Sequence, residues 1–166
     1  MSIYSKSGDL GETSNLSGQR VSKNDIVIHF EGAADELNSH LGLIKAMLSD
    51  SDTRQFIEKI QENIMKLMAH VSYITNDKYL FSQDDVDGLE KEIDRLSEEL
   101  PNKFQLVLPG KNITEAQIHI ARTVARKAER LFVAVNEEKP LCPIAGAYLN
   151  RLSDYLFVLS RQEFIN

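Results

Sequence analysis

From about residue 33 onward, apolar side chains recur at alternating three- and four-residue steps, and this spacing constrains the fold more than any other feature of the sequence. At about 100° per residue, such steps place the apolar side chains on one face of an α-helix. Five segments show the pattern, and they begin at Ala34, Ile57, Val86, Ala121 and Ile144. Alternating threes and fours are typical of helices packed nearly parallel in a bundle. No segment shows a convincing strand pattern, so we predict an all-α fold, a five-helix bundle.

The first 25 residues differ in kind from the rest of the chain. They are rich in Gly, Ser, Thr and Asn, which favours turns and hydrogen bonds between side chains and backbone. Lys6, Gly8 and Ser14 are of the types that a phosphate-binding loop uses, although the Walker A spacing is absent. A frayed terminus is the alternative. We predict a single domain in two parts, an ordered N-terminal arm over 1–25 and a helical bundle over 26–166.

Length and charge limit the classes of function. A chain of 166 residues suits one domain. A formal charge of -6 argues against general nucleic-acid binding, which needs a net basic surface. No uncharged run is long enough to span a bilayer, and residues 1–12 do not resemble a secretory signal. With Cys142 as the only cysteine, these features predict a cytoplasmic protein without nucleic-acid or membrane partners.

The segment after residue 112 carries the densest positive charge in this acidic chain. Arg122, Arg126 and Arg130 recur one helical turn apart, roughly opposite the apolar stripe of the same helix. They form either a solvated or salt-bridged face or a site for an anion, which the planar guanidinium grips through two hydrogen bonds. Thr114 and Gln117 have the spacing of a capping box and predict the start of this helix.

Two other groups of polar residues could carry function. Asp35 and Glu36 are predicted to open the first helix, where acids favour the N-terminus; alternatively, Asp35 pairs with an arginine of the basic helix. Asn150 lies one turn before Asp154 on the last helix, and it forms either a hydrogen bond between helices or a ligand contact. The four histidines have no metal-ligand spacing, so a catalytic metal site within the bundle is not predicted.

Taken together, five segments resemble the PduO-type ATP:cob(I)alamin adenosyltransferases, in the order of that family. They are 4–14 (YSKSGDLGETS), 20–23 (RVSK), 32–39 (GAADELNS), 108–110 (LPG) leading into 122–130 (RTVARKAER), and 148–161 (YLNRLSDYLFVLSR). The stretch over 47–103 matches more loosely. The resemblance implies a homotrimer of five-helix bundles with active sites between subunits. It also implies transfer of the 5′-deoxyadenosyl group of ATP to the cobalt of cob(I)alamin, with release of triphosphate.

The resemblance further implies roles for individual residues. The arm would wrap the triphosphate, and Arg126 would offset the charge that builds on it, as an electrostatic clamp does. Arg122 and Asp35 would join Arg126 in the catalytic group by pairing with each other across the subunit boundary. The residues implied in ATP binding are Ser5, Lys6, Ser7, Gly8, Asp9, Ser14, Lys23, Arg126, Glu129, Arg130 and Asn150. Mg²⁺ would accompany ATP, with no protein ligands assigned to it.

The sequence departs from the family at the position expected to face cobalamin. Three residues before Pro109 the family commonly has a phenylalanine, whose ring displaces the lower axial ligand of cobalt, and this chain has Leu106. Phe104, two residues earlier, is the candidate replacement. This departure keeps a second hypothesis open, an ATP-binding homotrimer that acts as a sensor or cobalamin carrier with little transferase activity. A reductase and a cobalamin-dependent enzyme are further expected partners.

Overall fold

The computed structural model describes residues 6–72, 81–100 and 107–165. Within these ranges the five predicted helices are confirmed. They are α1 (Ile26–Met47), α2 (Ser51–Ser72), α3 (Gln83–Glu98), α4 (Ile113–Glu138) and α5 (Pro143–Ile165). None of these described helices is long and apolar enough to cross a membrane.

Two helices, α1 and α4, pack against each other at the centre of the bundle. Helix α1 also contacts α2, while α4 also contacts α5, which in turn packs against α3. The core that they share contains fully buried aromatic rings, and Phe30 of α1 meets Phe132 of α4 edge to face with ring centroids 6.0 Å apart. Edge-to-face pairs of this kind add to the stabilisation from burial alone. The two helices that carry most of the predicted site are therefore fixed by the same core.

Helix α1 begins earlier than the sequence predicted. Asp25 caps its N-terminus, because the Asp25 carboxylate accepts a hydrogen bond from the Val27 amide at 2.9 Å. The apolar stripe of α1 extends back through Phe30 to Val27, and both side chains are buried. Asp35 and Glu36 consequently lie in the middle of the helix, and the prediction that they open it is wrong.

The start of α4 also differs from its prediction. Asn112 is the N-cap residue, and its side chain accepts a hydrogen bond from the Glu115 amide at 2.8 Å. Thr114 and Gln117 therefore do not form the predicted capping box. The side chain of Glu115 reaches back to the preceding loop instead, where its Oε2 accepts hydrogen bonds from the amides of Gly110 at 2.7 Å and Lys111 at 3.2 Å.

The arm contains two short strands that the sequence analysis did not predict. β1 (Glu12–Ser14) and β2 (Arg20–Ser22) pair antiparallel, with Thr13 opposite Val21. The connecting turn is closed by a hydrogen bond from the Asn15 amide to the Gln19 carbonyl at 3.0 Å. Gly18 within it has a φ of 82°, a conformation that glycine adopts at little cost. Each strand has only three residues, too few for an alternating pattern to be visible in the sequence.

A buried histidine joins α2 to the connection between α4 and α5. The side chain of His70 is 3% exposed, and its Nε2 accepts a hydrogen bond from the Cys142 amide at 3.1 Å. A ring nitrogen that accepts a hydrogen bond carries no proton, so His70 is neutral in this arrangement. Burial, and to a smaller extent the positive charge of Lys66, lowers the pKa of His70 below its usual value.

We expect the protein to lose stability in mild acid in part through His70. The unfolded chain binds a proton on this residue more readily than the folded protein does, so the free energy of unfolding falls below about pH 6.5. In the variant His70→Gln the amide oxygen can still accept the Cys142 hydrogen bond but does not titrate. The decrease in melting temperature between about pH 7.5 and about pH 5.5 should then be smaller by roughly 2–4 °C.

The control for this measurement is His29→Gln, since His29 is exposed. His119, whose pKa burial also lowers, leaves a residual pH dependence in both variants. Thermal unfolding followed by circular dichroism across the pH range gives the comparison. Equal pH dependence in His70→Gln and His29→Gln would contradict the role assigned to His70.

Candidate functional site

A polar cluster lies where α4 packs against α5. Asn150 of α5 donates a hydrogen bond through Nδ2 to Oε1 of Glu129 on α4 at 2.9 Å, and its Oδ1 accepts one from Arg151 at 2.8 Å. Arg151 also donates to Glu90 of α3 at 2.8 Å. The structure therefore shows Asn150 in a hydrogen bond between helices. This bond brings Glu129 and Asn150, which the sequence placed in different helices, to one surface.

Arg126 lies on the same surface as this cluster. Its side chain is exposed, and none of the described residues forms an ion pair with it. Asp154, one turn after Asn150, is close enough for Arg126 to affect its titration: burial raises the pKa of Asp154, while the positive charges of Arg151 and Arg126 oppose that rise. Arg126 is thus an exposed cation next to the α4–α5 cluster, where its guanidinium is accessible to an anion.

The other two arginines of the row have different surroundings. Arg122 is partly buried, and its Nε donates a hydrogen bond to Nδ1 of His119 at 3.2 Å. Arg130 lines an open cavity of about 480 Å³ between α1 and α4, together with Lys127 and His29. Lys127 pairs with Glu36 of α1 at 2.5 Å. The three arginines of the row therefore lie in three different surroundings: Arg126 at the α4–α5 surface, Arg122 beside His119, and Arg130 in the α1–α4 groove.

Within the arm, Gly8 and Lys23, two residues predicted to bind phosphate, lie close together. A Cβ atom on Gly8 would lie only 3.3 Å from Nζ of Lys23, so the absence of a side chain at Gly8 admits the ammonium group. The backbone amide of Lys23 donates to the Gly11 carbonyl at 2.9 Å. Lys6 itself has a φ of 59°, in the left-handed region that non-glycine residues rarely adopt. A glycine backbone and a cation at one place are the elements of a phosphate-binding loop.

Arg20 is a residue of the arm that the sequence analysis did not assign to the site. Its guanidinium donates to the Ser7 carbonyl at 2.9 Å and to the Glu12 carboxylate at 3.2 Å. Arg20 thereby connects β2 to the turn that contains Ser7. Its place in the RVSK segment, three residues before Lys23, was the available signal, but its partners are not evident from sequence spacing.

The arm lies beside α1. Thr13 and Ser14 line a cavity of about 310 Å³ with Gly32 and Asp35. Among the described residues, none forms an ion pair with Asp35. The predicted pairing of Asp35 with Arg122 connects two subunits, so this single chain does not test it.

Comparisons with known proteins identify the family. The family model described as cobalamin adenosyltransferase matches residues 3–163. The chain belongs to the cobalamin adenosyltransferase family. It is 37% identical to a corrinoid adenosyltransferase from Citrobacter freundii, over 97% of this chain and 94% of that protein. It is also 36% identical to a corrinoid adenosyltransferase from Bacillus subtilis, over 97% of this chain and 86% of the relative. The chain spans 50% of the length of the PduO protein from Salmonella typhimurium, at 34% identity.

Solved structures of this family have the same fold. A variant PduO-type ATP:corrinoid adenosyltransferase from Lactobacillus reuteri, complexed with cobalamin and ATP, superposes with a TM-score of 0.89 at 30% identity. The match covers 99% of this chain and 94% of that one. A second variant from the same organism, complexed with ATP, gives a TM-score of 0.86 at 32% identity. The resemblance inferred from the five sequence segments is confirmed.

Some residues that the family resemblance assigned lie outside the described part of the chain. Ser5 of the arm and the two residues expected to face cobalamin, Phe104 and Leu106, belong to this group. Residues 107–165 include the loop that follows them, where the side chain of Leu108 is 90% exposed. Over the described ranges, no group of three or more His, Cys, Asp or Glu side chains could hold a metal ion. The ligands of Mg²⁺ therefore stay unassigned.

We expect Asn150→Ala to destabilise the protein by about 1–2 kcal/mol, because Glu129 loses its donor in a partly buried place. Urea denaturation measures the change. Glu137→Ala, an exposed carboxylate on α4, is the control and should change the free energy of unfolding by less than about 0.5 kcal/mol. Equal values for the two variants would mean that the Asn150–Glu129 hydrogen bond contributes nothing to stability.

Proposed function

We propose that this protein transfers the 5′-deoxyadenosyl group of ATP to the cobalt of cob(I)alamin, forming adenosylcobalamin and releasing triphosphate. The observation that carries the proposal is the exposed Arg126, which forms no ion pair with any described residue, beside the Glu129–Asn150 pair, in a chain whose family match spans residues 3–163. Relatives bearing the name corrinoid adenosyltransferase, and family structures complexed with cobalamin and ATP, support the same reaction.

The chemistry requires little covalent participation by the protein. Cob(I)alamin supplies the electron pair that forms the bond between cobalt and the 5′-carbon. The bond from that carbon to the triphosphate oxygen breaks, and its electron pair leaves with the triphosphate. Negative charge grows on the leaving group, and a guanidinium placed against it stabilises the transition state more than the ground state. We assign this task to Arg126, while the site holds ATP in line with cobalt.

The ATP site is proposed to combine the arm with the α4–α5 surface. Lys6, Ser7, Gly8, Asp9, Ser14 and Lys23 would bind the triphosphate, and the contact between Gly8 and Lys23 supports this. Glu129 and Asn150 would position the nucleoside, and Arg130 would add charge nearby. Mg²⁺ would arrive on the phosphates of ATP, and we derive no step from it. Leu106 and Phe104 are proposed to face the corrin ring.

We infer that the complete sites form between the subunits of a homotrimer. Exposed apolar side chains on neighbouring helices support a subunit interface: Leu43 is 50% exposed, Ile120 46% and Ile113 81%. Ile113 and Ile120 are seven residues apart on α4 and therefore share a face. Asp35 and Arg122 are proposed to pair across this interface, which would connect assembly to the site. A cytoplasmic location, a reductase that supplies electrons and a cobalamin-dependent enzyme that uses the product complete the proposal.

The first test is an anaerobic assay with the purified protein, Mg-ATP and chemically reduced cob(I)alamin. Formation of adenosylcobalamin, followed by its visible spectrum, is expected at catalytic turnover. Binding of ATP without product would contradict the proposed transferase and favour the alternative of an ATP-binding sensor or carrier. It would also indicate that Leu106 does not replace the phenylalanine that the family commonly has at this position.

We expect Arg126→Ala to lower the rate of adenosylation by about 10²–10³-fold, because the growing charge on triphosphate loses its cation. Arg126→Lys retains the charge without the planar fork and should have an intermediate rate. Arg54→Ala removes an exposed arginine of α2 and is the matched control. Size-exclusion chromatography with light scattering checks that each variant assembles as the wild type does. An unchanged rate in Arg126→Ala would remove this residue from the role proposed for it.

A further inference from the structure

Helix α3 contributes a charged residue to the α4–α5 cluster, although the sequence analysis assigned no residue of this helix to the site. Glu90 of α3 accepts a hydrogen bond from Nε of Arg151 at 2.8 Å. The same guanidinium donates through Nη1 to Oδ1 of Asn150 at 2.8 Å. Asn150 in turn donates through Nδ2 to Oε1 of Glu129 at 2.9 Å. Four side chains from three helices therefore form one continuous chain of hydrogen bonds.

The ion pair at the α3 end of this chain is a weak source of stability. The side chains of Arg151 and Glu90 are 40% and 44% exposed, and solvent screens pairs of this kind. The apolar core, which includes buried residues of both helices, already holds α3 against α5. The planar guanidinium has a larger effect on geometry, because it fixes the directions of the two groups that it contacts. The pair is therefore better suited to orient Asn150 than to stabilise the bundle.

The orientation of the Asn150 amide is determined from both of its ends. A side-chain amide has two orientations, which differ by the exchange of its oxygen and its nitrogen. Arg151 has only donors, so the carbonyl oxygen of Asn150 faces it, while the carboxylate of Glu129 has only acceptors, so the NH₂ group faces it. Asn150 then retains one N–H and one carbonyl lone pair for a ligand, each with a fixed direction.

Asp154 is a competing partner for Arg151. Its Oδ2 lies 4.0 Å from Nη1 of Arg151, three residues further along α5. Because Nη1 is the nitrogen that donates to Asn150, movement of Arg151 toward Asp154 would leave the Asn150 carbonyl without this donor. Glu90 accepts from the other nitrogen, Nε, and so holds the guanidinium on the side of α3. Glu90 therefore favours the contact of Arg151 with Asn150 over a contact with Asp154.

From these contacts we infer that Glu90 and Arg151 are positioning residues of the nucleotide site. Glu90 holds Arg151 in place, and Arg151 fixes the side-chain amide of Asn150 in the orientation that meets the nucleoside of ATP. Both residues act through Asn150, and neither is assigned a contact with ATP. The inference rests on the proposed function for the identity of the ligand, while the orientation of the Asn150 amide is independent of it.

Three variants of α3 test the inference. Glu90→Ala removes the acceptor for Arg151, whereas Glu90→Gln retains a carbonyl oxygen to which Arg151 can donate. Glu92→Ala is the matched control, since it removes the same charge from the same helix. Glu92 accepts hydrogen bonds at 2.6 and 2.9 Å from Arg95, a residue of α3 itself, and two residues along a helix it faces a different direction from Glu90. Thermal unfolding checks that all three variants fold.

The first readout needs no ligand and no activity. Selective labelling of asparagine with ¹⁵N reports each side-chain NH₂ group by NMR in the deuterated protein, and the variant Asn150→Ala identifies the signals of Asn150. We expect the NH₂ protons of Asn150 to exchange faster with water in Glu90→Ala, and to exchange as in the wild type in Glu90→Gln and Glu92→Ala. Unchanged exchange of these protons in Glu90→Ala would overturn the positioning role.

The second readout is the Kd of ATP, measured by isothermal titration calorimetry without cobalamin. Glu90→Ala should raise this Kd about fivefold or more, because the Asn150 amide then occupies its binding orientation for only part of the time. Glu90→Gln and Glu92→Ala should stay within about twofold of the wild type, since the loss of an exposed charge has little effect by itself. Electrostatics alone predicts the opposite direction for Glu90→Ala, because removing a negative charge favours an anionic ligand. Tighter or unchanged binding in Glu90→Ala would therefore overturn the inference.

A double-mutant cycle shows whether Glu90 acts through Asn150. In the background of Asn150→Ala, we expect Glu90→Ala to leave the Kd of ATP unchanged, because the side chain that it positions is absent. An equal loss of affinity from Glu90→Ala in both backgrounds would overturn the inference. Failure of the proposed function alone has a different signature: the wild type would bind ATP without forming adenosylcobalamin, and the cycle would still decide on Glu90. Absence of ATP binding by the wild type would overturn both.

Discussion

The structure depends on the contact that α4 makes with two helices at once. Along its buried side α4 places small residues, and Ala121, Ala125 and Ala128 are each 0% exposed. Small side chains allow close approach, so α1 and α5 can both pack against the same helix. Because the polar residues of the site lie on the remaining faces of α4, the packing of the core sets the separation between them.

That arrangement explains why the arginine row does not act as one unit. A helix with neighbours on two sides presents its turns to different surroundings, and each arginine meets a different partner. Arg122 is drawn toward His119, Arg130 borders the α1–α4 groove, and Arg126 is left on the surface beside Glu129. Equal spacing in sequence therefore does not mean equal function, since the environment of each residue comes from the helix opposite.

The helices and much of their packing could be predicted from the sequence, because burial imposes a period that a single chain displays. The start predicted for α1 lies too late in the chain, because the stripe that includes Ala34 continues back through Phe30 and Val27 at the same spacing. The hairpin of β1 and β2 could not be predicted, because strands of three residues are too short to show an alternation of apolar and polar side chains. Asn112 followed three residues later by Glu115 has the spacing of a helix start, and this pair is the sequence signal of the cap.

The membership of the candidate site came from the family resemblance, and the roles of its residues stay predictions. Resemblance assigned Glu129 and Asn150 to one ligand, but no periodicity could show that they bond to each other across two helices. The burial of Glu115 was equally hidden, since an acid near a helix start is ordinarily solvated and stabilised by the helix dipole. Long-range pairings of this kind depend on the angle between packed helices, which a single sequence does not state.

The contacts within the arm would affect the entropy of binding a ligand there. Gly8 lies against Lys23, Arg20 holds the Ser7 carbonyl, and the strands between them are paired within the free chain. The conformational entropy of bringing these groups together is therefore lost during folding, so a ligand that bound the arm as proposed would not have to order it. A nucleotide meeting this arm would encounter a preorganised receptor, and its affinity would reflect contacts formed more than disorder removed.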